Sequence, residues 1–322
     1  MQYLNAYTWG HGAPRGFTKK TDAWQHSLDE MIASSGCDTL LLPVAARQDH
    51  AYSTKVDFET DDVMSMEDAE TVCAYARKKG LKIIIKAMVN CRDGYWRAYI
   101  RFFDNYVPTE PTWAEWFQSY SAFTAALAKT VQKVNAELYC IGCETVGTDH
   151  RDAEWRALIA EVRKHYTGPI TYNCDKFQEG HVKWWDAVDY IGTSAYYRVA
   201  EEPGASMEAM LARWEAQKER LAELSRINGG KQIIFMEIGC RSARGCAMMP
   251  WDFTHKEFPY DEDEQANFYE SSMKAMWNEP WFAGFFWWDW YTNLPKNQPE
   301  MGFSIVGKKA EKVVQEWYAK DR

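Results

Sequence analysis

Two glutamates stand at the ends of strongly apolar runs, Leu138-Tyr139-Cys140-Ile141-Gly142-Cys143-Glu144 and Ile233-Ile234-Phe235-Met236-Glu237. A third run, Phe285-Phe286-Trp287-Trp288-Asp289-Trp290, closes on tryptophan. One carboxylate in such a place is readily a surface or salt-bridged group. Two of them, with a tryptophan pair, point to chemistry. A paired carboxylic acid and carboxylate can cleave a glycosidic bond: one protonates the leaving oxygen while the other attacks the anomeric carbon. At a separation of roughly 5–5.5 Å the attacking carboxylate forms a covalent intermediate and configuration is retained. Desolvation suits the acid, and hydrogen bonds with nearby cations suit the nucleophile. The two runs alone do not say which glutamate is which.

Short apolar runs alternate with longer amphipathic stretches along the chain. The runs are Tyr3–Trp9, Thr39–Ala45, Leu81–Val89, Leu138–Glu144, Ile170–Cys174, Val188–Tyr196, Gln232–Ile238 and Ala283–Trp290. Ile233-Ile234-Phe235-Met236 is apolar on both faces, the mark of a buried parallel strand. Between the runs, helices are predicted over Asp22–Ser35, Ser65–Lys79, Trp113–Asn135, Arg151–Tyr166, Ser206–Asn228, Asp261–Trp277 and Lys308–Tyr318. A weaker, shorter one falls at Val182–Ala187. Gly36 and Gly80 follow the first two and supply the left-handed residue that closes a helix. Ser65-Met66-Glu67-Asp68 offers a capping start. Eight strands alternating with eight helical segments, with no repeat, linker or low-complexity stretch, predict one (β/α)8 TIM barrel over residues 1–322. The alternative, an open doubly wound sheet, usually carries a Gly-rich phosphate loop after its first strand, and Gly10-His11-Gly12 is a poor match. In a barrel the active site lies at the carboxyl ends of the strands, where both glutamates fall.

The 322 residues carry a net charge of −9, which argues against nucleic acid or an anionic membrane surface as partner. Aromatic residues make up 15 %, including 16 Trp and 18 Tyr, and this excess suits a cleft that stacks on flat, neutral ligands such as sugar rings. The first residues lack the basic start and apolar stretch of a signal peptide, and the longest apolar run, Phe282–Trp288, is too short to span a membrane. A cytoplasmic protein is expected, with Cys37, Cys73, Cys91, Cys140, Cys143, Cys174, Cys240 and Cys246 as free thiols. Cys140 and Cys143 lie three apart on a strand and face opposite sides unless it bends, so no metal site is expected. His11, His50 and His255 lie in loops without ligand spacing and are expected to face solvent.

At these residues the sequence resembles glycoside hydrolase family 113, a clan A family of β-mannan-active barrels. The blocks that carry the likeness are Tyr52-Ser53-Thr54, Lys86, Asp93-Gly94-Tyr95-Trp96-Arg97, Ile141-Gly142-Cys143-Glu144 and Trp155-Arg156-Ala157-Leu158-Ile159. They continue through Gly168–Asn173, Asp189–Tyr197, Glu237–Ser242, Pro250-Trp251 and Trp287–Trp290. The resemblance implies Glu144 on strand four as acid/base and Glu237 on strand seven as nucleophile. It implies Tyr196 as the hydrogen-bond partner of the nucleophile, and Trp288, with Trp287 as the alternative, as the floor of the sugar site. Most clan A members have asparagine just before the acid/base, where it reads the sugar 2-hydroxyl; here Cys143, a weak hydrogen-bonding group, takes that place. Asn90 stands at the end of strand three, where Asp is more usual.

Other candidates stay open between two roles. Arg97 and Asn90 line the mouth and bind hydroxyls, or Arg97 pairs with Asp93 in its loop. Asn173 reaches a sugar or makes a turn. Trp9 stacks on substrate or packs in the core, and Trp251 contributes to a leaving-group-side subsite. Lys86 is expected to be buried, paired and structural. The activity implied is hydrolysis, or transglycosylation, of β-1,4-linked manno-oligosaccharides by a retaining mechanism that needs no cofactor. The alternatives are another clan A β-glycosidase, of gluco- or mixed-linkage specificity, and a carbohydrate-binding protein without catalysis.

Overall fold

The computed structural model describes residues 4–294 and 300–320. Eight parallel strands are hydrogen-bonded in chain order into a closed barrel: β1 (Leu4–Trp9), β2 (Thr39–Gln48), β3 (Lys82–Cys91), β4 (Leu138–Cys143), β5 (Ile170–Asp175), β6 (Tyr190–Ser194), β7 (Ile233–Ile238) and β8 (Phe282–Trp290). Among the described residues seven α-helices alternate with them: α1 (Ala23–Ser35), α2 (Met66–Lys78), α3 (Trp113–Lys133), α4 (Asp152–Arg163), α5 (Met207–Ile227), α6 (Glu262–Met276) and α7 (Lys309–Tyr318). The (β/α)8 barrel read from the sequence is therefore the fold. β4, β5 and β7 are buried at every position, as strands covered on both faces must be.

The local signals act as expected. Gly36 and Gly80 take φ of +68° and +87° behind α1 and α2. Ser65 and Asp68 form a reciprocal capping box at the start of α2. Two strands run two or more residues past their apolar stretches. β2 continues through Arg47 and Gln48, because Trp116 donates to the Gln48 side chain at 2.9 Å and makes that amide tolerable inside. β3 continues through Asn90 and Cys91. The weak helix after β5 is only a 3-10 turn at Trp185–Ala187.

Close contacts group the chain into two compact units. The first holds residues up to 9, 23–39 and those from 194 on, with β1, β7 and β8 and helices α1, α5, α6 and α7. There β8 is central, with Phe285 in register with Asn5 on one side and Phe235 on the other. The second holds 10–22 and 40–193, with β3, β4 and β5 side by side and α2, α3 and α4. Its core is aromatic: Trp155 stacks on Trp184 at 4.8 Å and tilts against Tyr172 at 5.1 Å. Such packing absorbs most of the aromatic excess. Only Trp96, Trp251, Trp281 and Trp288 reach the surface, and the other tryptophans are buried.

Candidate active site

In the second unit β4 pairs Cys140 with Thr171 but Cys143 with Asn173, so β4 carries one extra residue between them. Such a bulge re-aims the strand end. Glu144 follows it with φ +50°, in the left-handed region that a residue with a Cβ rarely adopts. That conformation costs on the order of 1–3 kcal/mol and persists only where the surroundings impose it. Here the Glu144 amide donates to Asn173 O at 2.8 Å, and the next amide, of Thr145, donates to Tyr172 Oη at 3.1 Å.

The Glu144 carboxylate is held as firmly. Arg97 Nη2 donates to its Oε2 at 2.9 Å and Trp96 Nε1 to the same oxygen at 3.1 Å. Arg97 Nη1 donates to Asn90 Oδ1 at 2.9 Å, which fixes the guanidinium plane. Arg97 pairs with Glu144 rather than with Asp93, whose Oδ1 accepts from the Tyr95 amide within the loop. Gly147, just after Glu144, shows why these segments meet. A Cβ there would lie 2.2 Å from Ile100 O, so only glycine lets the loop after β3 come this close. Glu144 is 6 % exposed.

Cys143 is fully buried, and its Sγ accepts from Asn173 Nδ2 at 3.1 Å and from Arg97 Nη2 at 3.6 Å. The thiol and the Asn173 amide therefore occupy each other. Asn173 is buried within β5, two residues before its end, and Lys86 is fully buried within β3. Two further carboxyls lie nearby. Asp149 is pushed up to about 8, chiefly by burial, although Tyr172 Oη donates to it at 2.6 Å. Asp175, the last residue of β5, is raised to about 6, first by burial and then by the charge of Glu144.

In the first unit Glu237 is the fifth residue of β7 and 3 % exposed. Tyr196 Oη donates to its Oε2 at 3.2 Å. A Cβ on Gly239 would lie 2.6 Å from Trp288 O, so glycine is what permits β8 to approach the end of β7. Trp288 is half-buried, and the peptide bond after it is cis. Its neighbour Trp287 has no surface to offer a sugar: it stacks on Tyr269 at 4.0 Å and donates to Tyr318 Oη at 2.9 Å. Adjacent strand residues face opposite ways, so one tryptophan of the pair is core and the other is not. Trp9 is core as well, buried and donating to Ser27 Oγ at 3.2 Å. Asp289 is buried and raised to about 7, first by burial and then by the charge of Glu237. Arg241, on the loop beyond, pairs with Asp252 and donates to His255 O at 3.0 Å. Trp251, on the same loop, is exposed.

The eight cysteines are buried, with Cys240 Sγ and Cys246 Sγ 3.4 Å apart. Among the described residues no group of three or more His, Cys, Asp or Glu is arranged to hold a metal ion. Nor is any described helix long and apolar enough to cross a membrane. His11 is exposed, but His50 stacks on Tyr52 at 3.7 Å and His255 Nδ1 lies 2.9 Å from Asp252 Oδ1, so neither simply faces solvent. Trp96, Asp149, Asp175 and Asp289 were not legible as site residues. The one available signal was the place of Trp96 beside Arg97, because the partners of all four are set by folding.

The family model of glycoside hydrolase family 113 matches residues 7–308. Among solved structures, a complex of a β-1,4-mannanase of that family is 36 % identical, covers 100 % of both chains and superposes with a TM-score of 0.93. The family's β-mannanase from Alicyclobacillus acidocaldarius in complex with ManMIm is 34 % identical over 99 % of this chain and 98 % of its own, with a TM-score of 0.89. A β-glucuronidase of Ruminococcus gnavus shares the fold alone, at 12 % identity and a TM-score of 0.64 over 98 % of this chain and 50 % of that one. No curated protein matches the chain.

Proposed function

Since the chain belongs to glycoside hydrolase family 113, we propose that it hydrolyses β-1,4-linked manno-oligosaccharides by a two-step retaining mechanism. In this reading residues 1–322 act as one catalytic domain, as a family match that runs across both compact units supports. Glu144 protonates the leaving sugar oxygen while Glu237 attacks the anomeric carbon, and Glu144 then takes a proton from the water that releases the glycosyl group. A second sugar in place of that water gives transglycosylation.

The observation that carries the reading is the family match across a barrel whose fourth and seventh strands each carry a buried glutamate at the carboxyl end. The division of roles follows the family resemblance, since the Arg97 cation and the Trp96 donor beside Glu144 taken alone favour an ionised carboxylate. Glu144 is gripped through Oε2 alone, by Arg97 and Trp96, so Oε1 is the oxygen left to carry the travelling proton. Glu237 is steadied by a tyrosine hydroxyl, a neutral donor that keeps a carboxylate aimed without forming an ion pair with it. Trp288 offers the apolar floor for the sugar, and Trp287 and Trp9 are left out of the site by their burial. Asn90 and Asn173 act by ordering Arg97 and Cys143, and the exposed Trp251 is the candidate for a leaving-group-side contact.

The test is incubation with mannotriose through mannohexaose, with Glu144→Ala and Glu237→Ala alongside. Wild type should release shorter sugars, and each variant should lose at least roughly a hundredfold. Cleavage of a different β-glycoside only would remove the mannan assignment and keep the mechanism. A pair of fully active variants would remove the mechanism.

A further inference from the structure

We infer that the second unit carries a distal sugar subsite, an open cleft lined by Tyr52, Arg101, Phe103, Glu110 and Pro111, that holds a ring of a β-1,4-linked hexose chain beyond the two rings flanking the cut bond. The inference rests on the function proposed above and names a surface to which that function assigns nothing.

The cleft has a volume of about 390 Å³, inside the roughly 300–1,000 Å³ range of small-molecule sites. Its walls combine two kinds of group. Tyr52 and Phe103 are 62 % and 60 % exposed, large apolar rings that a chain of this size would normally bury. Arg101 and Glu110 stand beside them, and among the described residues neither side chain is engaged by a hydrogen bond or ion pair. A pyranose presents an apolar C–H face and a rim of hydroxyls that both donate and accept. Flat rings beside one donor-only and one acceptor-only side chain match that surface better than they match an apolar partner.

The platform is fixed rather than floppy. Phe102 is buried and packs edge-on against Trp113 at 5.1 Å, so its neighbour Phe103 is turned outward. The Arg101 amide donates to Ala51 O at 3.4 Å and joins the loop of Tyr52 to that of Phe103. The Glu110 side rests on the first turn of α3, closed by the capping box of Thr112 and Glu115. The same loop also continues directly into the acid/base site. Trp96 and Arg97 bind Glu144, Ile100 lies against Gly147, and Arg101–Phe103 then forms the cleft. A chain bound across Glu144 has this surface as its continuation.

The experiment compares kcat/KM on mannotriose, mannotetraose, mannopentaose and mannohexaose for wild type, Tyr52→Ala and Phe103→Ala, with sedimentation velocity on each protein. Both side chains are exposed, so the variants should fold, as melting curves will check. The hexaose-to-triose ratio of kcat/KM should fall roughly 2- to 12-fold in each variant, the worth of one aromatic stacking contact. Product analysis with a reducing-end label then tells which end of the chain the subsite holds. An unchanged ratio would overturn the inference, as would a concentration-dependent dimer of the wild type that Phe103→Ala abolishes. If wild type cleaves none of the four sugars, it is the function proposed above that fails.

Discussion

Replacing Arg97 with methionine keeps the apolar stem and deletes the guanidinium that holds Glu144. The contact is 2.9 Å long, and its side chains are only 12 % and 8 % exposed, so water screens it little. A hydrogen bond to a charged partner contributes about 1.5–3 kcal/mol. If Glu144 is the acid/base proposed above and that energy is what aims it, its loss lowers kcat/KM on mannopentaose about 10- to 150-fold at 1.36 kcal/mol per decade. The effect should be larger than for an ordinary carboxylate, because Glu144 sits at φ +50° and can relax once released. The assay compares mannopentaose with 2,4-dinitrophenyl β-mannoside, whose leaving group departs without a proton. A positioning role predicts a loss at least tenfold smaller on the aryl substrate. Equal losses on both would mean that Arg97 does not act through Glu144, and a loss below threefold on mannopentaose would refute the clamp altogether.

Three further outcomes follow from the same geometry. Tyr196→Phe removes the 3.2 Å hydrogen bond to Glu237 and should lower kcat/KM roughly 10- to 100-fold with little change in melting temperature; under threefold, the contact is incidental. Gly147→Ala drives a Cβ to 2.2 Å from Ile100 O, so it should cost about 1–3 kcal/mol in urea unfolding and disarm the Trp96–Arg97 loop; wild-type stability and activity together would contradict the close approach. Asp149, raised to about 8 by burial, binds its proton more tightly folded than unfolded. Its stabilising share is complete below the unfolded value of about 4 and is lost as pH rises towards 8. Asp149→Asn should therefore flatten the decline in urea midpoint between pH 4 and 8, and an unchanged slope would show that the carboxyl is not buried as described.

The barrel was legible because its signals are local. A strand covered on both faces must be apolar throughout, and a helix that ends at Gly36 or Gly80 announces its end. The strand-end glutamates were legible for the same reason. Their surroundings were not. Arg97 reaches Glu144 across 47 positions, and nothing in the Asp93–Arg97 block distinguishes that partner from Asp93. The left-handed turn at Glu144 follows from an extra residue in β4 that appears only once β5 lies beside it. The adjacent Trp287 and Trp288 look alike in sequence, but strand alternation sends one to Tyr269 and Tyr318 and leaves the other half-buried. The aromatic excess reads as a sugar cleft until packing shows most of the tryptophans buried, as Trp155 and Trp184 are against each other.

The central claim is that Glu237 attacks carbon while Glu144 moves the proton. Incubation with 2-deoxy-2-fluoro-β-mannosyl fluoride, whose fluorine slows release of the intermediate, tests it most directly. The account predicts stoichiometric inactivation, one added fluoromannosyl mass, and a proteolytic peptide that carries the label on Glu237. A label on another residue, or none while hydrolysis proceeds with inversion, would contradict it.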